Sequence, residues 1–250
     1  MKTQALISYL PLLLRDYLLT RGGAMVVVSL VFIGPLLIAF STATTPPPPE
    51  QMSRQAIQVM LSLTTFLTLV GTYGLIGQDF RLGYYRSYFA KPVPVPLYYV
   101  ATFGCALLGF WTVQGLILVT LASFGVNAWD AAAALEATLS FILLGSMVLA
   151  FSRVSRLDWI FAAFLMALAN PLRSAYPAAE SLRGKILNVL LPPMHLFDLT
   201  PSARAAGETS ALITGAGVEW TSFAWICVYA LTLFVFAMVA VWKLPLASTQ

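Results

Sequence analysis

The stretch Gln78–Pro96, QDFRLGYYRSYFAKPVPVP, is a charged and aromatic segment that ends in prolines and lies between two long apolar runs. One acidic residue, Asp79, stands against three basic residues. These basic residues are Arg81, Arg86 and Lys91. In membrane proteins an excess of Lys and Arg in a short loop marks the cytoplasmic side. We therefore predict a cytoplasmic loop over 78–96, within reach of a soluble partner.

The composition of the whole chain is that of an integral membrane protein. Of its 250 residues, 59% are hydrophobic and 10% are charged, and the mean hydropathy is +0.83. Soluble domains have roughly 45–50% apolar and about 25% charged residues. At about 20 apolar residues per spanning helix, this length accommodates about six spans and no separate soluble domain. The net charge of +4 comes from loop residues that orient the chain, so we expect no nucleic-acid partner.

Apolar runs and helical periodicity predict an all-α integral membrane protein that forms a single domain over 1–250. Residues 4–21 are predicted to form an amphipathic helix in the membrane interface, because apolar side chains recur at helical spacing while Arg15 and Asp16 lie elsewhere. Gly22 and Gly23 then allow a turn into the first span. The six predicted spans are 24–40, 56–76, 97–124, 131–151, 156–176 and 221–242.

The fifth span and the segment after it have the least regular pattern. Asn170 and Pro171 interrupt the apolar run, so this segment either crosses by extending as far as Tyr176 or is re-entrant. The segment 177–220 is predicted to be external. Within it, 186–197 is too short to cross and contains two prolines, which predicts an interfacial or re-entrant helix.

The distribution of charge supports one orientation, with both termini in the cytoplasm. In that arrangement the inner side has nine basic and three acidic residues, and the outer side has five basic and seven acidic residues. The inverted arrangement would violate the positive-inside rule in several short loops at once.

Polar residues inside the predicted spans are few. Thr64, Thr68 and Thr72 recur every four residues beside Gly71, which gives the second span one small, weakly polar face. Such a face suits close helix packing, and it also suits the lining of a substrate route. Gln114 in the third span is expected to form a hydrogen bond between helices. We predict that these five residues form a pathway or a dimer face.

Motifs for catalysis and for metal binding are missing from the sequence. His195 is the only histidine, which argues against a histidine-built metal site. The chain contains no G-x-x-x-x-G-K phosphate loop, no G-x-S-x-G elbow and no H-E-x-x-H pair. We therefore expect no enzyme activity, no metal and no cofactor bound by this chain. Glu136, near the outer end of the fourth span, either binds a cation or a proton or is simply solvated.

The order of these elements resembles that of an ABC-2 type transporter permease. The similarity covers the architecture of the whole chain, with an interfacial helix, two spans, the cytoplasmic loop and four further spans. Its local motif is an acid and an arginine, a glycine, and a proline-valine pair before the third span. The residues that match it are Asp79, Arg81, Gly83, Lys91, Pro92 and Val93.

The resemblance implies that 78–96 is a coupling loop which docks on a separate cytoplasmic ABC ATPase, present in two copies. ATP and magnesium would be bound by that ATPase. A second permease copy or a paralogue would complete an exporter, surrounded by lipid in the prokaryotic inner membrane. The residues expected to contact the ATPase are Asp79, Arg81, Gly83, Tyr84, Tyr85, Arg86, Tyr88, Phe89, Lys91 and Pro92.

The side chains of this loop are consistent with docking on independent grounds. Aromatic residues and arginines dominate the hot spots of protein interfaces. The same composition also occurs in interfacial aromatic belts, which need no partner. Two other functions remain open at this point. The chain is alternatively a non-transporting scaffold that anchors a soluble complex, or an ion-coupled secondary transporter that uses Glu136 and Gln114.

Overall fold

A computed structural model of the chain describes residues 2–42, 48–77, 94–152, 157–176, 182–193, 213–214, 217–218 and 220–243. The ten predicted coupling residues, between Asp79 and Pro92, lie outside the described residues. The predicted pathway residues, from Thr64 to Gln114, all lie within them.

The described chain is α-helical, as its composition predicted. Its helices are α1 (Lys2–Tyr17), α2 (Gly23–Thr42), α3 (Pro49–Thr72), α4 (Val95–Ser123), α5 (Ala131–Ser152), α6 (Asp158–Ala175), α7 (Leu182–Leu190) and α8 (Trp220–Lys243). Two short strands, β1 (Ile213–Thr214) and β2 (Gly217–Val218), pair antiparallel.

Five helices in the described parts of the chain are long and apolar enough to cross a membrane. These are Leu10–Thr42, Pro49–Thr72, Val95–Ser123, Ala131–Ser152 and Trp220–Trp242. The protein is therefore a multi-pass α-helical membrane protein. The second of these helices, α3 (Pro49–Thr72), starts seven residues before the predicted span 56–76 and ends four residues before the end of that span. It starts early because Pro49 fits the first helical turn, and it ends at Thr72 before Gly74, whose φ is 62°.

The predicted turn at Gly22 and Gly23 is wrong. A π-helical segment, Leu18–Gly22, joins α1 to α2, and Gly23 has the ordinary helical angles φ −58° and ψ −45°. The chain is thus helical from Lys2 to Thr42, where we had predicted an interfacial helix over 4–21 and a span over 24–40. Glycine permits a turn but does not require one, and here wider π-type hydrogen bonding absorbs the irregularity.

The fifth predicted span, 156–176, corresponds to α6, but α6 is not among the helices that qualify as spans. Its helix continues through Pro171 to Ala175, while its apolar part, Asp158–Ala169, covers only about 18 Å along the axis. The hydrocarbon core of a bilayer is about 30 Å thick. Five candidate spans therefore replace the six that the sequence predicted.

The helix predicted within 186–197 begins four residues earlier and ends before the prolines. This helix, α7, has nine residues and a length of about 14 Å, too short to cross. Its last carbonyl, that of Leu190, accepts a hydrogen bond of 2.7 Å from the hydroxyl of Tyr229 in α8. That bond ties α7 to a spanning helix and satisfies a carbonyl at a helix end.

The central helix of the bundle is α5, which packs against α3, α6 and α8. The ring of Phe141 stacks on that of Phe110 from α4 at a centroid distance of 4.7 Å. Phe103, also from α4, lies against Gly145, where an added Cβ would come within 2.8 Å of the ring. A small residue at position 145 therefore leaves room for the Phe103 ring of α4 against the backbone of α5.

A second close contact joins α1 to the bundle. The buried ring of Tyr17 lies between two glycines, Gly71 in α3 and Gly109 in α4. A Cβ on Gly71 would lie 2.7 Å from the Tyr17 hydroxyl oxygen, and one on Gly109 would lie 2.5 Å from Cε1. Thr64 of α3 bonds to Gln114 of α4, and Gly71 and Gly109 contact the same ring, so α3 and α4 run antiparallel and α4 begins about 16 Å beyond the end of α3. The helix α1 packs against α4.

This geometry predicts different effects of alanine at two glycines of α4. Gly109→Ala forces Tyr17 or the backbone to shift, and overpacking of this kind costs about 1–3 kcal/mol. Gly104→Ala is the matched control, since a Cβ there meets nothing within 4 Å. Thermal unfolding in detergent should give a lower midpoint for Gly109→Ala and an unchanged or slightly higher one for Gly104→Ala. Equal midpoints would contradict the packing of Tyr17 between the glycines.

Candidate functional site

The threonines of the predicted polar face are buried inside the bundle. Thr64, Thr68 and Thr72 are each at most 1% exposed. Their hydroxyls donate to the carbonyls four residues earlier in α3, at distances of 2.9, 2.7 and 2.6 Å. Backbone bonding of this type satisfies a hydroxyl within its own helix. In this conformation the threonine face packs in the interior and does not line an open route.

Gln114 connects this face to α4. Its Nε2 donates to Thr64 Oγ1 at 3.3 Å. The single proton of that hydroxyl is already donated to the carbonyl of Met60, so Thr64 can only accept here. The amide orientation of Gln114 is thereby fixed, and its Oε1 is left without a hydrogen-bond partner in the described structure.

Gly71, the remaining member of the predicted set, is a contact point for the first helical segment. Its carbonyl accepts a hydrogen bond of 3.2 Å from the Tyr17 hydroxyl and another of 3.2 Å from Arg21 Nη1. Neither Tyr17 nor Arg21 was among the predicted site residues. Their spacing of four residues places them on one side of the helix, and this was the available signal in the sequence.

Arg21 satisfies the C-terminal end of α3. The same guanidinium nitrogen donates to the carbonyl of Tyr73, the first residue beyond the helix. The last carbonyls of a helix lack partners within it and carry partial negative charge, so a cation is favourable there. The predicted interfacial helix, 4–21, ended at Arg21, whereas in the structure this residue is half-buried against α3.

Asp158 holds the same place from the other side. This residue is fully buried at the start of α6, and its Oδ2 accepts from the backbone N–H of Gly74 at 3.2 Å. Its Oδ1 accepts from the N–H of Trp159 at 2.8 Å, within the first turn of α6. The sequence placed this acid near the start of the fifth predicted span, 156–176. A buried carboxyl group needs such hydrogen bonds, and the backbone of two segments supplies them.

We name Tyr73–Ile76 the anchor turn, because it follows α3 directly and leads to the predicted coupling loop. It is held by Arg21, from the segment between α1 and α2, and by Asp158, from α6. Gly74 is the glycine of this turn that needs a positive φ, of 62°. Any force on the chain after Gly77 would therefore act on three helical segments and not on α3 alone.

The side chains at the anchor turn hold helical segments together by hydrogen bonds to the backbone. Among the described residues, no group of three His, Cys, Asp or Glu side chains could hold a metal ion. The polar atoms that meet at the anchor turn are engaged with backbone groups of neighbouring segments, which is how polar groups inside a bilayer are satisfied. Comparison with family models, curated proteins and solved structures gave no match.

Removing the Arg21 side chain should loosen the anchor turn. Arg21→Leu leaves the carbonyls of Gly71 and Tyr73 without this donor, and an unsatisfied buried group costs about 1–3 kcal/mol. We expect a lower unfolding midpoint and faster tryptic cleavage at Arg81 and Arg86 in the following loop. Arg15→Leu is the control, because Arg15 lies exposed on α1. Identical cleavage rates in the two variants would contradict a role of Arg21 in holding this turn.

Proposed function

We propose that this chain is the permease subunit of an ATP-driven ABC transporter of the ABC-2 type, acting as an exporter. A cytoplasmic ATPase in two copies would dock on the loop 78–96. A second permease copy or a paralogue would form the pathway together with this chain. ATP and magnesium would be bound by the ATPase alone.

The observation that supports this proposal best is the attachment of the anchor turn. A loop that transmits force from a soluble motor has to be tied firmly to the helices that it moves. The turn directly before this loop is bonded to Arg21 and to the fully buried Asp158, which belong to different helical segments. A scaffold that only tethers a soluble complex does not need hydrogen bonds from two helical segments to the turn before its loop.

The first half of α4 adds to this argument. It continues past the end of α3 on the side where the anchor turn lies, and α1 packs against it. The helix α1 and the first half of α4 thus pack together on the side of α3 that continues into the loop 78–96. Elements in this position would give a docked ATPase a second contact besides the loop.

ATP binding and hydrolysis would then act by displacing the coupling loop. Packed helices commonly respond to such a displacement by moving as units. In a transporter this movement would switch the access of the pathway from one side of the membrane to the other. The buried threonine face of α3 would have to be uncovered in another conformation for it to line a route. Export, as the direction, rests on the family resemblance.

A second function, ion-coupled secondary transport, is favoured by one specific observation. Glu136 was expected to be either solvated or functional, and the structure buries it to 3% exposure in the second turn of α5. Ionisable side chains buried within membrane proteins are frequent participants in ion and proton pathways. The burial of Glu136 is thus compatible with a carrier that needs no ATPase.

The docking hypothesis predicts that alanine at Tyr84, Tyr85 and Arg86 uncouples the transporter. Removing two aromatic anchors and an arginine from an interface typically costs several kcal/mol, enough to lower affinity more than 100-fold. The tagged full chain would be purified from its native membranes in mild detergent. A co-purifying chain with a G-x-x-x-x-G-K motif and the ATPase activity of the preparation would be measured.

The triple variant should lose both the ATPase chain and its activity while its own unfolding midpoint stays unchanged. Alanine at Ser87 is the matched control within the same loop. Unchanged co-purification and activity in the triple variant would reject docking through this surface.

The alternative makes a separate prediction for Glu136→Gln. If the chain couples transport to an ion gradient through this carboxyl group, the variant should abolish gradient-driven flux in vesicles that lack any ATPase. Flux that persists in the variant, or the absence of gradient-driven flux in the unmodified protein, would reject the carrier.

A further inference from the structure

The outward side of α3 is polar over much of its length. The opposite side of the helix, with Ala56, Leu63 and Leu67, is fully buried in the bundle. The polar residues follow one another at alternating intervals of four and three residues, and each of them is exposed or half-buried. We name these residues the glutamine face: Gln51, Gln55, Gln58, Ser62 and Thr65.

Part of the glutamine face lies at the depth of the lipid tails. The helix α3 has 24 residues and is about 36 Å long, whereas the hydrocarbon core of a bilayer is about 30 Å thick. When a helix of this length crosses the core, every residue more than about 6 Å from its ends lies within the hydrocarbon. Gln58 lies about 14 Å from the Pro49 end of α3, and Ser62 lies about 15 Å from the Thr72 end. Both residues are therefore at the depth of the lipid tails.

The amide groups of this face need hydrogen-bond partners from outside the chain described here. Among the described residues, no hydrogen bond reaches the side-chain amides of Gln51, Gln55 or Gln58. The hydroxyl of Ser62 donates to the carbonyl of Gln58 at 2.9 Å and is satisfied within its own helix. Lipid tails have neither donors nor acceptors, so an amide that faces them without a partner is unfavourable. The partner of the glutamine face must therefore carry hydrogen-bonding groups.

A second copy of α3 has such groups at matching positions. Two copies of a membrane protein insert in the same orientation, so a two-fold axis along the membrane normal brings identical positions of the two helices together. A glutamine amide is both a donor and an acceptor, so two glutamines at the same position complement each other. Intervals of four and three residues also form the seam between two helices that cross at about 20°. Arg54, at the edge of the face, lies one turn after Glu50, so the charges at this end are balanced.

We propose that the glutamine face is the surface through which two copies of this chain pair, with their α3 helices side by side and hydrogen-bonded through Gln55 and Gln58. The inference deepens the proposed function, and it rests on that function for the role of the pair, in which a second permease copy completes the pathway. The dimer face thereby moves to another side of α3, because Thr64, Thr68 and Thr72 are buried within a single copy.

Cysteine cross-linking of the full chain in its membrane tests this pairing. Both native cysteines, Cys105 and Cys227, are first replaced by alanine. Gln58→Cys and Ser62→Cys should then each form a disulfide-linked dimer when copper phenanthroline is added as the oxidant. The reason is that a two-fold axis along the seam places the two copies of each cysteine opposite each other.

The matched control for cross-linking is Leu116→Cys. Leu116 is 56% exposed on α4 and lies two residues beyond Gln114, which bonds to Thr64. Because α3 and α4 run antiparallel, Leu116 lies at about the same depth as Ser62. Its apolar side chain faces outward without a polar neighbour of the glutamine face, so we expect little dimer from Leu116→Cys.

Removal of an amide tests the hydrogen bonds across the seam. Gln58→Leu should raise the dissociation constant of the dimer in liposomes about three- to thirtyfold, the range expected for hydrogen bonds between helices in a membrane. Energy transfer between copies that carry a donor or an acceptor dye at the C-terminus would be measured over a range of protein-to-lipid ratios. Thr112→Leu is the control, because Thr112 is exposed on α4 and its hydroxyl donates to the carbonyl of Leu108 in the same helix. This control should leave the dissociation constant unchanged.

Three results would overturn the proposal. The first is cross-linking that is no faster for Gln58→Cys and Ser62→Cys than for Leu116→Cys. The second is a cross-link to a different chain, which would then be the partner of this face. The third is labelling of Gln58→Cys by a water-soluble maleimide in a chain that forms no dimer, which would show a water-filled groove.

Failure of this pairing and failure of ATPase docking give different results. The triple alanine variant of the loop 78–96 should cross-link as well as the unmodified loop, because the glutamine face needs no ATPase. A dimer that persists without a co-purifying ATPase would reject only the docking. A co-purifying ATPase without cross-linking at the glutamine face would reject only this pairing.

Discussion

The ring of Tyr17 sets the spacing of three helices. Its hydroxyl reaches the carbonyl of Gly71 and its ring edge lies over Gly109, so α1, α3 and α4 meet at one aromatic side chain. In a bilayer, helices gain no hydrophobic stabilisation from contacting one another, and close van der Waals packing has to replace it. A large, rigid ring that fits between two glycines provides that packing, together with a hydrogen bond away from water.

The same region explains why two charged residues lie inside the protein. The helix α3 ends within the bundle and not in water, so its last carbonyls and the following N–H groups need partners from the chain itself. Arg21 supplies donors and Asp158 supplies acceptors. The π-helical segment Leu18–Gly22 lies directly beside this contact and contains Arg21. A local departure from α geometry often marks a functional position.

The length of apolar runs made most of the helices predictable. The spans of α4, α5 and α8 match within two residues at each end, since burial in lipid demands long uninterrupted apolar segments. Hydropathy does not report partners, so the predicted helices 4–21 and 156–176 included Arg21 and Asp158 without indicating what either residue contacts. Hydropathy also did not show whether Gly22 and Gly23 form a turn or continue a helix. Gln114 was expected to form a hydrogen bond between helices, and it does so with Thr64. That its Oε1 lacks a partner could not be predicted, because this depends on which acceptor receives the Thr64 hydroxyl proton.

The anchor turn lies at one end of α3, and a cavity of about 510 Å³ that is lined by α3, α4 and α5 lies at the other. Gly71 and Thr64 are seven residues apart, about 10 Å along α3, and Thr64 bonds to the glutamine that lines the cavity. A helix does not shorten under load, so an axial or tilting movement imposed at the anchor turn would reach the Thr64–Gln114 contact with little loss. Because the cavity wall comprises α3, α4 and α5, a shift of α3 alone would change its width. The anchor turn and the cavity are therefore connected through α3.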